Sequence, residues 1–316
     1  MRIWRYWFFR FSLFFLTLAP AFGAEPEFDP ADGPVVHATP AMWTVHGPKG
    51  TAYLLGSFHA LPRNVDWKTP QIRHAVQSAN VFVFEISHEP DFRRRWTQLY
   101  GENILLPLSN SLPSYFDAQM RSEWRAAVEH TRINADTLVQ LRPWGAARAF
   151  EFAMSGENVH IYSDEGVDNK IAGMAEARGA PILGLETAEA HLHVMLRDAT
   201  TANEIGQLRD AMHKAATMKM LPFSKMLAAW ETGDVRAIRA TSTQDPAERK
   251  VMLDDRNQAW VPRIEKMLTQ KRTFLITVGA AHLAGPGSVV DLLRADGYTV
   301  KGPDSPGAQL SSANTK

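Results

Sequence analysis

The chain has no cysteine among its 316 residues. That absence excludes disulfides, thiolate zinc sites, a cysteine nucleophile and a bacterial lipoprotein anchor. Any metal must be held by histidine and carboxylates, a donor set that suits zinc, manganese or cobalt better than a soft ion. An excess of charge of either sign is also missing, because 34 Lys and Arg balance 34 Asp and Glu. No global field then draws nucleic acid or an anionic membrane, and neither is an expected partner. Several catalytic signatures are absent as well: a Gly-x-Ser-x-Gly elbow, His-Glu-x-x-His, a Walker loop and Gly-x-Gly-x-x-Gly. A serine centre of the ordinary α/β-hydrolase kind is therefore not expected.

Long apolar runs are scarce too, and the one that stands out is at the start. Arg2, Arg5 and Arg10 lead into the apolar stretch 11–18, and small residues dominate 19–24. A basic end, an apolar middle and a small-residue site form a secretory signal peptide. Ala21 and Gly23 predict cleavage after Gly23, with Ala21 and Ala24 as neighbouring sites. An uncleaved anchor would need roughly 20 apolar residues, more than this run supplies. The expectation is an exported protein, periplasmic in a Gram-negative source and otherwise secreted, touching a membrane only through an uncleaved signal segment.

What remains is rich in core-forming residues, with 45% hydrophobic content, 9 Trp and 16 Phe. Residues 24–41 read as a flexible lead-in and 302–316 as a disordered tail, leaving 42–301 as the folded domain. Residues 42–45 and 51–55 flank a Gly/Pro turn and predict a β-hairpin. Short apolar runs at 81–84, 181–185 and 273–278 predict strands covered on both faces. Helical patterns fill 122–134, 144–155 and 169–178, and nearly all of 188–270, where Asp245-Pro246 has the form of an N-cap followed by Pro at the first helical position. The fold class is α/β: a central, mostly parallel sheet with an N-terminal hairpin, flanking helices and a helical insertion in the second half.

Candidate chemistry falls at the strand ends. His59 follows the strand ending at Leu55, Glu85 the one ending at Phe84, Glu186 the one ending at Leu185, and His282 the one ending at Val278. Ligands of open α/β sheets bind beyond the carboxyl ends of strands, so parallel neighbours would bring two imidazoles and two carboxylates together. Such a set suits a divalent ion (Zn, Mn or Co) with open positions for water, a spare carboxylate removing the proton. Gly56 and Gly279 would let the chain turn sharply and approach a ligand. His191 and His193, two apart on a predicted helix, face different ways, whereas His88 and Glu89 follow Glu85 closely enough to line a cleft.

These residues occur in an order that resembles the TraB/GumN family. The matching pieces are Trp43, the run 53–62 with Gly56-Ser57-Phe58-His59, and Val83-Phe84-Glu85-Ile86. They continue with Arg142-Pro143-Trp144, Gly166-Val167-Asp168, Gly184-Leu185-Glu186-Thr187 and Asp255-Arg256-Asn257 with Trp260 and Ile264. Val278-Gly279-Ala280-Ala281-His282-Leu283 and Gly297-Tyr298-Thr299-Val300 close the set. The family is similar to Tiki-type metal-dependent proteases and, more distantly, to erythromycin-esterase and ChaN-like proteins. The resemblance implies that His59 and His282 are metal ligands, or that one of them is a general base in an esterase-like version. It gives Glu85 and Glu186 the roles of ligand and base in either order. Arg256 would pair with a carboxylate or stabilise a developing oxyanion, with Asn257 a weaker candidate. Ala281 and Ala190 depart from the pattern, where many relatives carry Gly and Gln. The implied activity is metal-dependent hydrolysis of a peptide or a related small-molecule amide. Metal-free ester hydrolysis and non-catalytic peptide sequestration are the alternatives.

Overall fold

A computed structural model describes residues 33–87, 90–155, 161–196, 200–217, 223–243 and 245–305. The expected signal segment, the pair His88 and Glu89, and the end of the tail lie outside them. The strands are β1 (Val36–His37), β2 (Met42–His46), β3 (Thr51–Ser57), β4 (Val65–Asp66), β5 (Val81–Ile86), β6 (Ile182–Glu186), β7 (Thr273–Gly279) and β8 (Thr299–Lys301). The helices are α1 (Pro70–Ser78), α2 (Pro90–Ile104), α3 (Ala118–Thr131), α4 (Pro143–Ser155), α5 (Val167–Ala177) and α6 (Ala188–Leu196), followed by α7 (Thr201–Thr217), α8 (Phe223–Glu231), α9 (Val235–Thr241), α10 (Pro246–Arg249), α11 (Asp255–Leu268) and α12 (Val289–Ala295). Among the described residues no helix is long and apolar enough to cross a membrane.

The chain divides into two compact units. The first joins the residues up to Arg93 with Ile161–Thr187 and Ser224–Lys316; the second joins Arg94–His160 with Ala188–Phe223. The helix-rich second unit thus draws on both halves of the chain, where the sequence pattern pointed to the second half.

The first unit holds a six-stranded sheet in the order β6-β5-β7-β3-β2-β8. The four strands from β6 to β3 are parallel neighbours, whereas β2 runs antiparallel to both β3 and β8. The hairpin register, Met42 opposite Leu55 and His46 opposite Thr51, follows from its turn. Gly47 donates to the Gly50 carbonyl at 2.9 Å, and the amides of Lys49 and Gly50 donate to Leu268 at the end of α11. A Cβ on Gly47 would lie 2.4 Å from Leu268 Cβ, so only glycine lets the turn seat there.

One face of the sheet packs on α11 and α12. Trp43, Leu54, Val83, Phe274, Ile276 and Val278 meet Trp260, Val261, Ile264, Leu268 and Leu293, all buried. On α11 the buried positions 257, 260, 261, 264 and 268 form a single stripe at helical spacing. Burying a large apolar side chain there contributes about 1.5–3 kcal/mol, which fixes the helix against the sheet. The same stripe runs into the first turn as Arg256 and Asn257. Core packing therefore sets the position of two polar residues at the sheet's carboxyl edge.

Both expected flexible ends are more ordered than the composition suggests, over the part described. In the lead-in, β1 pairs with β4, Ala38 and Ala41 are buried, and Thr39 donates to the Glu231 carbonyl at 2.6 Å. At the other end Asp304 accepts from Trp43 Nε1 at 2.7 Å and pairs with Arg294 at 2.9 Å. In each case backbone or carboxylate partners supplied by distant segments hold a stretch that has no apolar period of its own.

The second unit is helical, with Leu112, Phe116, Met120, Phe150, Leu208 and Met212 in its core. Arg142 is paired there with Glu204, which is 2% exposed, and Pro143 opens α4 at its first position. The Arg142-Pro143-Trp144 motif is thus a structural corner. Met212 fills core space there.

Candidate functional site

The carboxyl ends of β3, β5, β6 and β7 lie side by side, and each delivers one group. His59 follows β3, Glu85 is the penultimate residue of β5, Glu186 ends β6, and a 3-10 turn (Ala280–Leu283) after β7 carries His282. The two Gly-x-x-His motifs are adjacent, with Gly56 opposite Val278 and Ser57 opposite Gly279. Their glycines do different things. A Cβ on Gly56 would sit 3.1 Å from Ala280 Cβ and 3.5 Å from the Ala41 carbonyl, so this glycine serves packing of one motif on the other. A Cβ on Gly279 would instead lie 3.1 Å from Glu85 Oε1, 3.5 Å from His59 Nε2 and 3.7 Å from His282 Cδ2. Gly279 keeps clear the space on which these three side chains converge.

The groups separate into a buried clamp and an open pair. The clamp is centred on Arg256, which is 7% exposed. Its Nε donates to Glu186 Oε1 at 2.6 Å, and Nη2 donates to Glu85 Oε2 at 2.6 Å and Glu186 Oε2 at 3.1 Å. Nη1 reaches the Met252 carbonyl at 3.3 Å and His282 Nε2 at 3.2 Å. A guanidinium has five N–H groups, and all five are engaged within the protein. Glu186 Oε1 also accepts from Trp260 Nε1 at 2.9 Å, and the Trp260 ring lies 4.4 Å from the His282 ring, centroid to centroid. His282 Nδ1 meets Asn257 Oδ1 at 2.6 Å, and Asn257 Nδ2 donates to the Gly287 carbonyl at 2.9 Å. Burial works against the Arg256 charge, but Glu85 and Glu186 outweigh it and raise its pKa further. Burial lowers His282 to about 4, a shift that Glu85 opposes and Arg256 reinforces, so its ring is neutral at pH 7.

The open pair is His59 and Glu85. The His59 ring is 56% exposed, with Nδ1 3.0 Å from Asp168 Oδ1. Asp168 is set there by the start of α5. Val167 N–H donates to the Phe58 carbonyl at 3.0 Å, and a Cβ on Gly166 would come within 2.1 Å of the His59 carbonyl oxygen. Gly166 is what allows α5 to dock on the His59 backbone. Desolvation pulls the His59 pKa down, but the charge and hydrogen bond of Asp168, then Glu85, raise it to about 9. Because the ring is more than half exposed, water screens part of that attraction. Glu85 Oε1 accepts from Gly279 N–H at 2.7 Å and retains a further lone pair. Burial opposes its ionisation, yet the charges of His282, Arg256 and His59 and the Gly279 N–H hold it well below the usual carboxylate range. With His282 neutral near pH 7, Arg256 carries most of that effect.

A family description, TraB/PrgY/gumN family, matches residues 41–302. The chain belongs to that family. It is also similar to an uncharacterised protein of Treponema pallidum (strain Nichols), 22% identical over 277 residues and covering 82% of each chain. No solved structure matches.

In this TraB/PrgY/gumN chain, all five residues singled out from the sequence meet at one sheet edge: His59, Glu85, Glu186, Arg256 and His282. Asn257 joins them through His282. For a metal, the arrangement offers His59 Nε2 and Glu85 Oε1 as open donors. The Nε2 of His282 and both oxygens of Glu186 are already committed to Arg256. Among the described residues no group of three or more His, Asp and Glu is placed to hold a metal ion. The donor set as arranged does not fit one unless Arg256 releases a partner. Nor does Arg256 keep a free N–H for an oxyanion. Two contributors escaped the sequence reading as site residues, Asp168 and Trp260. Both stood in the motif order, and the signal that could have placed Asp168 is the glycine two residues before it. His191 and His193 are in α6 of the helical unit, where His191 packs against Trp96 at 5.1 Å.

Proposed function

We propose that this protein is an exported hydrolase of ester or amide bonds in which His59, backed by Asp168, is the general base and Glu85 orients the attacking water. One observation carries the reading. His59 holds Asp168 on Nδ1 and turns Nε2 towards Glu85 Oε1 across the space that Gly279 leaves empty. In the neutral ring Nδ1–H stays on Asp168, and Nε2 accepts a proton from water as its oxygen attacks the carbonyl carbon. The proton then passes from Nε2 to the leaving alcohol or amine. Glu186, Arg256 and His282 support Glu85 from behind and do not meet the substrate.

The pH dependence is the test. Only the unprotonated ring is a base, so hydrolysis of p-nitrophenyl acetate, or of a fluorogenic peptide amide, should climb with pH between 6.5 and about 9. Asp168→Asn should lower the plateau about a hundredfold or more and move the midpoint down towards an ordinary histidine. A rate indifferent to both would remove His59 from the role. The metal-dependent peptidase implied by the family resemblance shares His59 and Glu85 but needs Arg256 to let go of His282 or Glu186. Activity abolished by exhaustive chelation and restored by Zn, Mn or Co would make that the better reading. A sequestering protein would show peptide binding that survives His59→Ala and no turnover. Export rests on the basic and apolar order of residues 1–23, and the N-terminal sequence of the mature protein tests it.

A further inference from the structure

We propose that His282, oriented by Asn257, is a positioning residue: a neutral imidazole with its proton fixed on Nδ1, whose work is to accept from Arg256 and hold that guanidinium in register with Glu85 and Glu186. The Gly287 carbonyl can only accept, so the Asn257 amide must turn its NH2 group that way, at 2.9 Å. Its oxygen then faces His282 Nδ1 at 2.6 Å, and Nδ1 must carry the hydrogen. On the other side of the ring, Arg256 Nη1 has only hydrogens to offer, so Nε2, at 3.2 Å, must be the lone-pair nitrogen. Glu85 Oε1, at 3.8 Å from Nε2, is too distant to reverse that assignment. Both ring nitrogens are thereby used, and the ring is 4% exposed.

The consequence concerns Arg256. The fork to Glu186 and the bond to Glu85 use Nε and Nη2 and leave the two Nη1 hydrogens to be satisfied. His282 and the Met252 carbonyl accept them and complete the hold on the guanidinium. His282 of the second Gly-x-x-His motif then acts on the reaction only through Arg256 and Glu85, whereas His59 of the first is the reacting group. This assignment deepens the hydrolase reading, and rests on it only for its rate measurement.

The experiment uses the full chain labelled with nitrogen-15. Long-range nitrogen–proton spectra at pH 7 should show His282 with Nδ1 protonated and Nε2 bare; an Nε2–H tautomer or an imidazolium overturns the proposal. His282→Ala should lower the melting temperature by several degrees and depress p-nitrophenyl acetate hydrolysis. His282→Gln offers an N–H to Asn257 and an oxygen to Arg256, so it should recover most of both losses. A glutamine variant as stable as wild type yet as inactive as the alanine variant would assign His282 a ligand or base role and overturn the proposal. Should the wild type fail to hydrolyse the ester, the hydrolase reading falls, while the spectra and the melting comparison still decide this one.

Discussion

Replacing Arg256 by Met removes the one cation shared by two carboxylates that are almost fully covered. The Glu186 side chain is 7% exposed and the Glu85 side chain 13%. Without Arg256, Glu186 keeps only the Trp260 N–H among the contacts described above, whereas Glu85 keeps the Gly279 N–H and the nearby His59. Breaking a buried ion pair by deleting one partner costs about 3–5 kcal/mol, because a charge is left without compensation. For a domain of this size that corresponds to a fall in melting temperature on the order of 10 °C. The pH dependence gives the sharper signature. In the wild type the depressed Glu85 pKa contributes stability that is present above the unfolded value of 4.5 and lost as pH falls through the folded value. Without Arg256 both carboxylates are easier to protonate, so the penalty should shrink on acidification. Melting of wild type and Arg256→Met, followed by circular dichroism at pH 8 and pH 5, measures this directly. Adding Glu186→Gln should restore part of the loss at pH 8. An Arg256→Met protein as stable as wild type at both values would mean that the clamp is not a paired, desolvated unit, and the division of the site would fail with it.

Three further outcomes follow from the same geometry. His282 is lowered to about 4, so its neutral form contributes stability that is fully present above the unfolded value of 6.5 and is lost as pH falls from 6.5 towards 4. The shift corresponds to about 3 kcal/mol, and urea unfolding at pH 7 and pH 4.5 should show a decline that His282→Gln flattens. Gly279→Ala places a methyl 3.1 Å from Glu85 Oε1 and 3.5 Å from His59 Nε2. It should leave melting within a few degrees of wild type while cutting ester hydrolysis at least about tenfold, through misplacement of the open pair; unchanged turnover would show that the reaction occurs elsewhere. Gly166→Ala meets the His59 carbonyl oxygen at 2.1 Å, and the backbone shift it forces should cost about 1–3 kcal/mol and separate Asp168 from His59. The measured pKa of His59 should then drop, and a value unchanged from wild type would contradict the docking of α5 on that backbone.

Which parts of this arrangement were legible in the sequence depends on what kind of force decides them. Strands β3, β5, β6 and β7 were readable because each buries an apolar run, and burial is written residue by residue. A mostly parallel sheet followed from the α/β pattern, and the meeting of His59, Glu85, Glu186 and His282 at one edge was conditional on those strands being neighbours, as they are. The division of labour among those four was not readable. It is decided by α11, whose apolar stripe at 260, 261, 264 and 268 sets the helix on the sheet and carries Arg256 between the two carboxylates. The family resemblance implies that Arg256 is near the site, but not that all five of its hydrogens are taken.

The same holds for the motif glycines and for the lead-in. Gly56 and Gly279 look alike in a string, yet one is small so that Ala280 can pack and the other so that the space between His59 and Glu85 stays open. Residues 36–41 lack any period because their partners, β4 and the end of α8, lie far along the chain. Local patterns report what a segment buries, whereas hydrogen-bond saturation is a property of the assembled neighbourhood. That is why His59 and His282, with identical motif spacing, have opposite prospects. One is more than half exposed with Nε2 open towards a carboxylate, the other is enclosed with both nitrogens in use. Paired Gly-x-x-His motifs therefore need not be used symmetrically, and in this chain the asymmetry is set by Asp168 behind the first imidazole and Asn257 behind the second.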